Sequence, residues 1–351
     1  MRNRSAISLG LVLACGLVSA TGAGAAPTPQ TKNVAGWVTA LAMDGPQVAY
    51  ATDGSGSANC FKLFTWNVSS HAGTLVSGPR TGSCGSDEPH GQRIVAVALA
   101  GKRIAWIRNI TGNTEADDYL FTATLPAPVE KKLTSATRTG DTDGDALKGN
   151  WVKGLVGSGT VLAANLWTTD AAGSVTKARL SSIGATKTAT IATGTATLAA
   201  ASADTGRVAV AHADGTVGIY SATGPLLQTI KPTSTRLVSL RKDFLVVLTK
   251  SKTLEIYNSH TGAFIRKWSV PGGAGNLDVN SNIAIFSVWR KLYAVQLTTG
   301  KQVVIATQKR AIAAAEIEAT GIAYAYNTIK GIKDIGNIAF VPLATVRAAV
   351  S

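Results

Sequence analysis

Three Thr-Gly turns, Thr223-Gly224, Thr261-Gly262 and Thr299-Gly300, follow one another at intervals of 38 residues. A constant period in the range of about 20 to 50 residues marks an array of like units, each too small to bury a core alone. Each turn separates two strand-like runs. Residues 216–220 precede the first and residues 226–230 follow it, with Asp214-Gly215 closing the hairpin before. The unit is a small antiparallel meander, and the fold has to be built from copies of it.

A second marker extends the array over the rest of the chain. The strand Val48-Ala49-Tyr50-Ala51 recurs as Ile104-Ala105-Trp106, residues 161–164, Val208-Ala209-Val210, Leu245-Val246-Val247, Ile283-Ala284-Ile285 and Ile322-Ala323-Tyr324. One apolar run precedes each marker and two follow it, all with the period-two alternation of strands and bounded by Gly, Asp and Asn. Four strands per unit, innermost first, is the plan of a propeller blade. The expectation is an all-β chain forming a single β-propeller of four-stranded antiparallel blades. Seven blades are drawn at about 36–80, 94–138, 151–194, 196–234, 235–273, 274–310 and 311–350. Six, with one unit misdrawn, is the alternative. Residues 26–35 form a polar lead, and residues 337–341 and 345–349 the outer pair of the last blade, so that no swapped closing strand is required, though residues 31–35 could add an edge strand.

Residues 1–25 read as an export signal, with Arg2 and Arg4, an apolar run over 7–20 and a small-residue site at Ala23-Gly24-Ala25. The expected location is outside the cell or in its envelope. The alternative is a lipoprotein anchored through Cys15, in Val12-Leu13-Ala14-Cys15. Export leaves Cys60 and Cys84 in an oxidising compartment, where a disulfide is the default. The net charge of +14 is uneven: from Ala201 onward there are 17 Lys and Arg against 8 Asp and Glu. For an exported chain this excess points to anionic envelope polymers rather than nucleic acid, or else to a solubility charge with no partner.

Some segments carry a family likeness. Gly101-Lys102-Arg103-Ile104-Ala105-Trp106 resembles the strand-opening motif of TolB-type, WD40-like propeller repeats, without the leading Asp. Residues 291–301 and 253–263 are similar to the repeats of quinoprotein-like propellers. The likeness implies a blade and no particular function, since such blades serve many activities. Where WD40 repeats would show Trp-Asp pairs, this chain has Trp66-Asn67, Tyr220-Ser221 and Tyr257-Asn258.

Against the 38-residue beat, blades one to three are enlarged. The additions fall at 52–59, 109–117 and 168–173, and between blades at 81–93 and 139–150. These connections open on one face of a propeller, and long loops on a rigid frame are where binding resides. Asp53, Asp87, Glu88, Glu115, Asp117, Asp118, Asp141, Asp143, Asp145 and Asp170 lie in them or at their edges. The equivalent connections of blades five to seven hold Lys250, Lys252, Arg290, Lys291, Lys309, Arg310, Lys330 and Lys333. The face is therefore read as acidic over one arc and basic over the other.

Two clusters suggest chemistry. Asp141-Thr142-Asp143-Gly144-Asp145 offers alternating carboxylates to a hard cation such as calcium, although Asp and Gly also make turns unaided. Asp87-Glu88-Pro89-His90 is a second cluster, and it lacks a zinc-ligand pattern. Gly-x-Ser-x-Gly and His-Glu-x-x-His motifs are absent from the sequence. The reading favours a monomeric, non-catalytic binding module with an unidentified protein or envelope polymer as partner. Its binding residues are Asp87, Glu88, His90, Asp117 and Asp118, on the loops of blades one to three. The alternatives are a calcium-assisted hydrolase such as a lactonase, with Asp141, Asp143 and Asp145 near its metal, and an envelope attachment protein holding anionic polymer.

Overall fold

A computed structural model describes residues 29–53, 61–78, 91–112, 114–140, 148–194, 199–331 and 333–351. Apart from one C-terminal helix its regular structure is β. After an N-terminal strand β1 (Gln30–Ala35), the first meander is β2 (Val38–Asp44), β3 (Gln47–Thr52), β4 (Lys62–Asn67) and β5 (Gly73–Ser77). The next two are longer: β6 (Gly91–Ala100), β7 (Arg103–Thr111), β8 (Glu115–Thr124) and β9 (Lys131–Thr139), then β10 (Lys148–Ser158), β11 (Val161–Thr169), β12 (Val175–Ile183) and β13 (Thr188–Gly194). Three short ones follow: β14 (Ala199–Asp204), β15 (Arg207–Ala211), β16 (Val217–Ser221) and β17 (Leu226–Ile230); β18 (Leu237–Arg241), β19 (Phe244–Leu248), β20 (Thr253–Asn258) and β21 (Phe264–Ser269); β22 (Ala274–Asn280), β23 (Ile283–Val288), β24 (Lys291–Gln296) and β25 (Gln302–Thr307). The chain ends with β26 (Ile312–Ile317), β27 (Gly321–Lys330), β28 (Lys333–Pro342) and helix α1 (Leu343–Val350).

Among the described residues these strands make six antiparallel sheets, five of four strands and one of eight. The eight-stranded sheet is two meanders sharing an edge, where β9 and β10 pair at Thr139 with Lys148 and at Arg138 with Gly149. Gly149 makes that junction possible. Its φ is +137°, and a Cβ there would strike the Thr137 carbonyl and the Arg138 backbone.

Apolar clusters lie between successive meanders rather than at one common centre. Ala49, Leu63, Ile104 and Trp106 pack the first meander on the second, and Val38, Tyr50, Ala325 and Phe340 pack the last on the first. The marker strands are the second strands, buried on both faces, which explains their unbroken apolar runs. Their aromatic residues stack on partners across the ladder, Tyr50 on Phe64, Trp106 on Phe121 and Phe286 on Tyr293. The first strands β2, β6, β10, β14, β18, β22 and β26 line a central cavity of about 280 Å³, and β26 returns to contact β2.

The termini differ from the expectation. Gln30–Ala35 is the edge strand that residues 31–35 could add rather than a mere lead: it pairs with β28 over six residues and completes the last sheet. Residues 345–349 are not an outer strand but part of α1. Leu343, Val346 and Val350 are its buried residues, spaced three and four apart to form one helical face rather than alternating. With that segment withdrawn, the edge of β28 is free for β1. The enlargements differ as well, because much of the expected loop continues the ladder. Asn109 pairs with Asp118, Ile110 with Asp117 and Thr111 with Ala116. Residues 91–93 and 148–150 are strand too.

Candidate functional site

Of the residues singled out by sequence, Asp87, Glu88, His90, Asp141, Asp143, Asp145, Cys60 and Cys84 lie outside the described residues, as do Cys15 and the export segment. Asp117 and Asp118 neighbour each other on β8 and point to opposite faces. Asp118 is buried. Its carboxylate meets Arg138 at 2.7 Å and accepts hydrogen bonds from Asn109 Nδ2 at 2.8 Å and Val152 N at 3.1 Å. Arg138 in turn lies 3.8 Å over the ring of Trp151. This cluster binds β8, β9 and β10 together and leaves Asp118 no face for a ligand, so its expected binding role is corrected to a structural one. Asp117 accepts from Tyr119 Oη at 3.1 Å and Thr137 Oγ1 at 2.5 Å.

Two further described carboxylates of the acidic arc are taken up by nearby donors. Asp53 accepts the Trp37 N–H at 2.7 Å, and Asp170 accepts those of Ala172 and Ser174 in an Asx turn. The basic arc is different. Lys250, Lys252, Arg290, Lys291, Lys309, Arg310, Lys330 and Lys333 are all exposed. Among the described residues no ion pair includes any of them.

Sequence reading missed the densest set of titratable groups, which stands in the central cavity. Arg241, at the end of β18, crosses it: Nη1 donates to Ser158 Oγ at 2.6 Å, Nη2 to Glu318 Oε1 at 2.5 Å and Nε to the Val279 carbonyl at 3.2 Å. Asp204 lies 3.8 Å away. Four first strands or their turns thus converge on one guanidinium, whose planar fork suits several acceptors. Around it, carboxylates reach from one first strand to the backbone of the next. Glu316 accepts from Met43 N at 2.5 Å, Asp278 from Ile317 N at 2.8 Å, Asp204 from Lys242 N at 2.5 Å, and Asp44 from the N–H groups of Gly101 and Gly159. Inner strands are edges whose outward N–H groups need acceptors, and these side chains supply them.

Burial raises the carboxyl pKa values here. Glu318 is pushed up to about 7 by burial and by Asp278, with Arg241 opposing. Glu316 lies well above the usual range through burial and the charges of Asp278 and Glu318. Asp278 is raised by burial against the pull of Arg241 and three hydrogen bonds. Such shifts accompany catalysis and structural ion networks alike. Here each of these carboxylates serves a backbone N–H or Arg241. No group of three or more His, Cys, Asp or Glu among the described residues is arranged to hold a metal ion. A signal did exist in the sequence. With the chain aligned on the second-strand markers, the residue closing the first strand is Asp44, Ser158, Asp204, Arg241, Asn280 or Glu318 in six of the units.

A second cavity, of about 220 Å³, opens where β9 and β10 part beyond their two shared pairs. Asn150, Leu166, Thr168, Lys177 and Arg179 lie on one face of the β10–β12 ladder and line it, opposite residues 134–136 of β9. Thr168 Oγ1 donates to Asn150 Oδ1 at 2.9 Å. Lys177 and Arg179 form no ion pair with a described residue. The cleft presents two available cations and an amide over an apolar floor, an arrangement that suits a carboxylate or other anion.

No helix among the described residues is long and apolar enough to cross a membrane. Neither a protein-family model nor a curated protein matches the sequence. Solved structures do match. The WD40 β-propeller domain of Doa1 is 12% identical, with 90% of this chain and 97% of that one covered at a TM-score of 0.55. A chain of the mitotic checkpoint complex is 13% identical, with 97% and 98% covered at 0.53. The computationally designed Ika8 protein is 12% identical, with 88% and 98% covered at 0.50. At such identities the likeness is one of fold: this chain has the four-stranded, all-β architecture of WD40 propellers without their Trp-Asp pairs.

Proposed function

We propose that this protein is a non-catalytic binding module: a propeller of seven blades, with the eight-stranded sheet counted as two, that recognises a partner through the cleft between its second and third blades. The observation that carries the reading is the contrast between two sets of charges. The carboxylates of the central cavity are committed to backbone N–H groups and to Arg241, whereas Lys177 and Arg179 face an open cleft without a described ion-pair partner. The neighbouring strands are rigidly joined, by the β9–β10 pairs and the Asp118–Arg138 bridge, so the site is preorganised. Its chemistry fits a carboxylate-bearing segment of a partner protein.

The test uses a fluorescent oligo-glutamate peptide as probe and an oligo-lysine peptide as control. The intact chain is expected to bind the first and not the second. The double variant Lys177→Glu/Arg179→Glu should weaken binding at least tenfold, about 1.4 kcal/mol, with unchanged thermal unfolding. Binding undiminished in the double variant overturns the proposal.

A further inference from the structure

The basic arc carries a second surface, independent of the cleft. The turns between second and third strands of consecutive meanders lie on one rim by the up-and-down order of the strands. Three successive ones bear Lys250 and Lys252, Trp289 to Lys291, and Lys330 and Lys333. The connection holding Lys309 and Arg310 is fastened to the middle turn, since Gln308 N donates to the Arg290 carbonyl at 2.9 Å and Ile312 N to the Trp289 carbonyl at 2.7 Å. None of these cations has an ion-pair partner among the described residues.

Two features of the tips work against the stability of the isolated chain. Trp289 occupies a left-handed turn position with φ +49° and is 67% exposed, with the Arg290 guanidinium 4.5 Å over its ring. Gly or Asn would suit that backbone better, and a bulky residue held in such a conformation points to a use for its side chain. At the next tip Lys330 and Lys333 face each other directly across the ladder, a repulsive pair. Ile329, 48% exposed, stands across the ladder from Asp334 and on the opposite face from the two lysines. The middle hairpin therefore presents a large apolar side chain outward beside unpaired cations.

We infer that this rim docks on an anionic lipid bilayer, with Trp289 entering the interfacial layer and the surrounding Lys and Arg side chains meeting headgroup phosphates. Tryptophan favours the headgroup level because its ring is apolar and its N–H polar, and juxtaposed cations add attraction to anionic lipid. A soluble polyanion would use the cations but leave the exposed Trp289 ring in water, which favours the bilayer.

Full-length protein is sedimented with phosphatidylcholine vesicles with and without about 30 mol % phosphatidylglycerol. Binding is expected only to the anionic vesicles, with a blue shift of tryptophan emission. Lys309→Glu/Arg310→Glu and Trp289→Ala should each weaken it at least tenfold. Trp289→Phe should retain binding while losing most of the blue shift, which reports the side chain rather than the fold. The cleft variant Lys177→Glu/Arg179→Glu should bind vesicles as the parent does, so failure of either proposal is distinguishable from failure of the other. Absence of binding to anionic vesicles, binding undiminished in the rim variants, or capture of polyphosphate or DNA without capture of vesicles overturns the inference.

Discussion

Glu316 Oε2 accepts a hydrogen bond from the backbone N–H of Met43 at 2.5 Å across 273 residues of sequence, joining the last inner strand to the first. The contact closes the ring on its inner side, as the pairing of β1 with β28 closes it on the outer side. Glu316→Ala would leave the Met43 N–H without its acceptor, at a cost of about 1–3 kcal/mol. Glu316→Gln keeps an acceptor and removes a poorly solvated charge, so its stability at neutral pH should equal or exceed that of the parent. Urea unfolding of both variants measures the difference.

Glu318 gives the stability a pH dependence of defined sign. Its folded pKa, about 7, exceeds the ordinary glutamate value, so the folded state holds the proton more tightly than the unfolded chain does. Its contribution is fully present below the ordinary carboxyl range and is lost as pH rises from there through about 7. Glu316 and Asp278, raised for the same reason, act in the same direction. Urea midpoints between about pH 5 and 8 should fall more steeply for the parent than for Glu318→Gln; parallel curves would show that Glu318 does not titrate there.

The Asp118–Arg138 bridge is buried on both sides, with 5% and 7% of the side chains exposed. Asp118→Ala strands the guanidinium and the Val152 N–H, leaves the Asn109 amide its longer bond to the Asp117 carbonyl, and should destabilise the protein by roughly 3–5 kcal/mol. Calorimetry measures the loss, and a cost below about 1 kcal/mol would mean that water replaces the carboxylate.

Removal of residues 1–35 takes away β1 and exposes the whole edge of β28. An uncovered edge pairs with other chains, so the truncated protein should unfold at lower temperature and self-associate. Size-exclusion chromatography checks this, with a monomer of parental stability as the contrary result.

Gly149→Val should separate β9 from β10, because the bulkier residue cannot accept φ +137° or the closeness of Thr137 and Arg138. Hydrogen exchange at residues 138–139 and 148–149 should rise selectively, with the remaining sheets protected as before.

The repeated meander was legible because its signals are local. A Thr-Gly turn and an alternating run describe a hairpin wherever they stand, and the 38-residue beat shows which stretches depart from it. Some departures were misjudged: residues 109–111 look like loop beside the acidic stretch 115–118, yet pair with residues 116–118. Polarity alone does not distinguish a loop from a ladder that projects into solvent.

What the sequence by itself determined is the unit, its four strands and the apolar faces that make units stack, since these follow from short-range periodicity. Only the tertiary structure decided which charges are free. Asp117, Asp118, Asp53 and Asp170 read alike as loop carboxylates, but each is claimed by nearby donors, while Arg241 and Glu318, 77 residues apart, meet in the cavity. Ring closure settles such matters because it brings together side chains whose separation along the chain carries no signal, and the free energy of a charge depends on those neighbours.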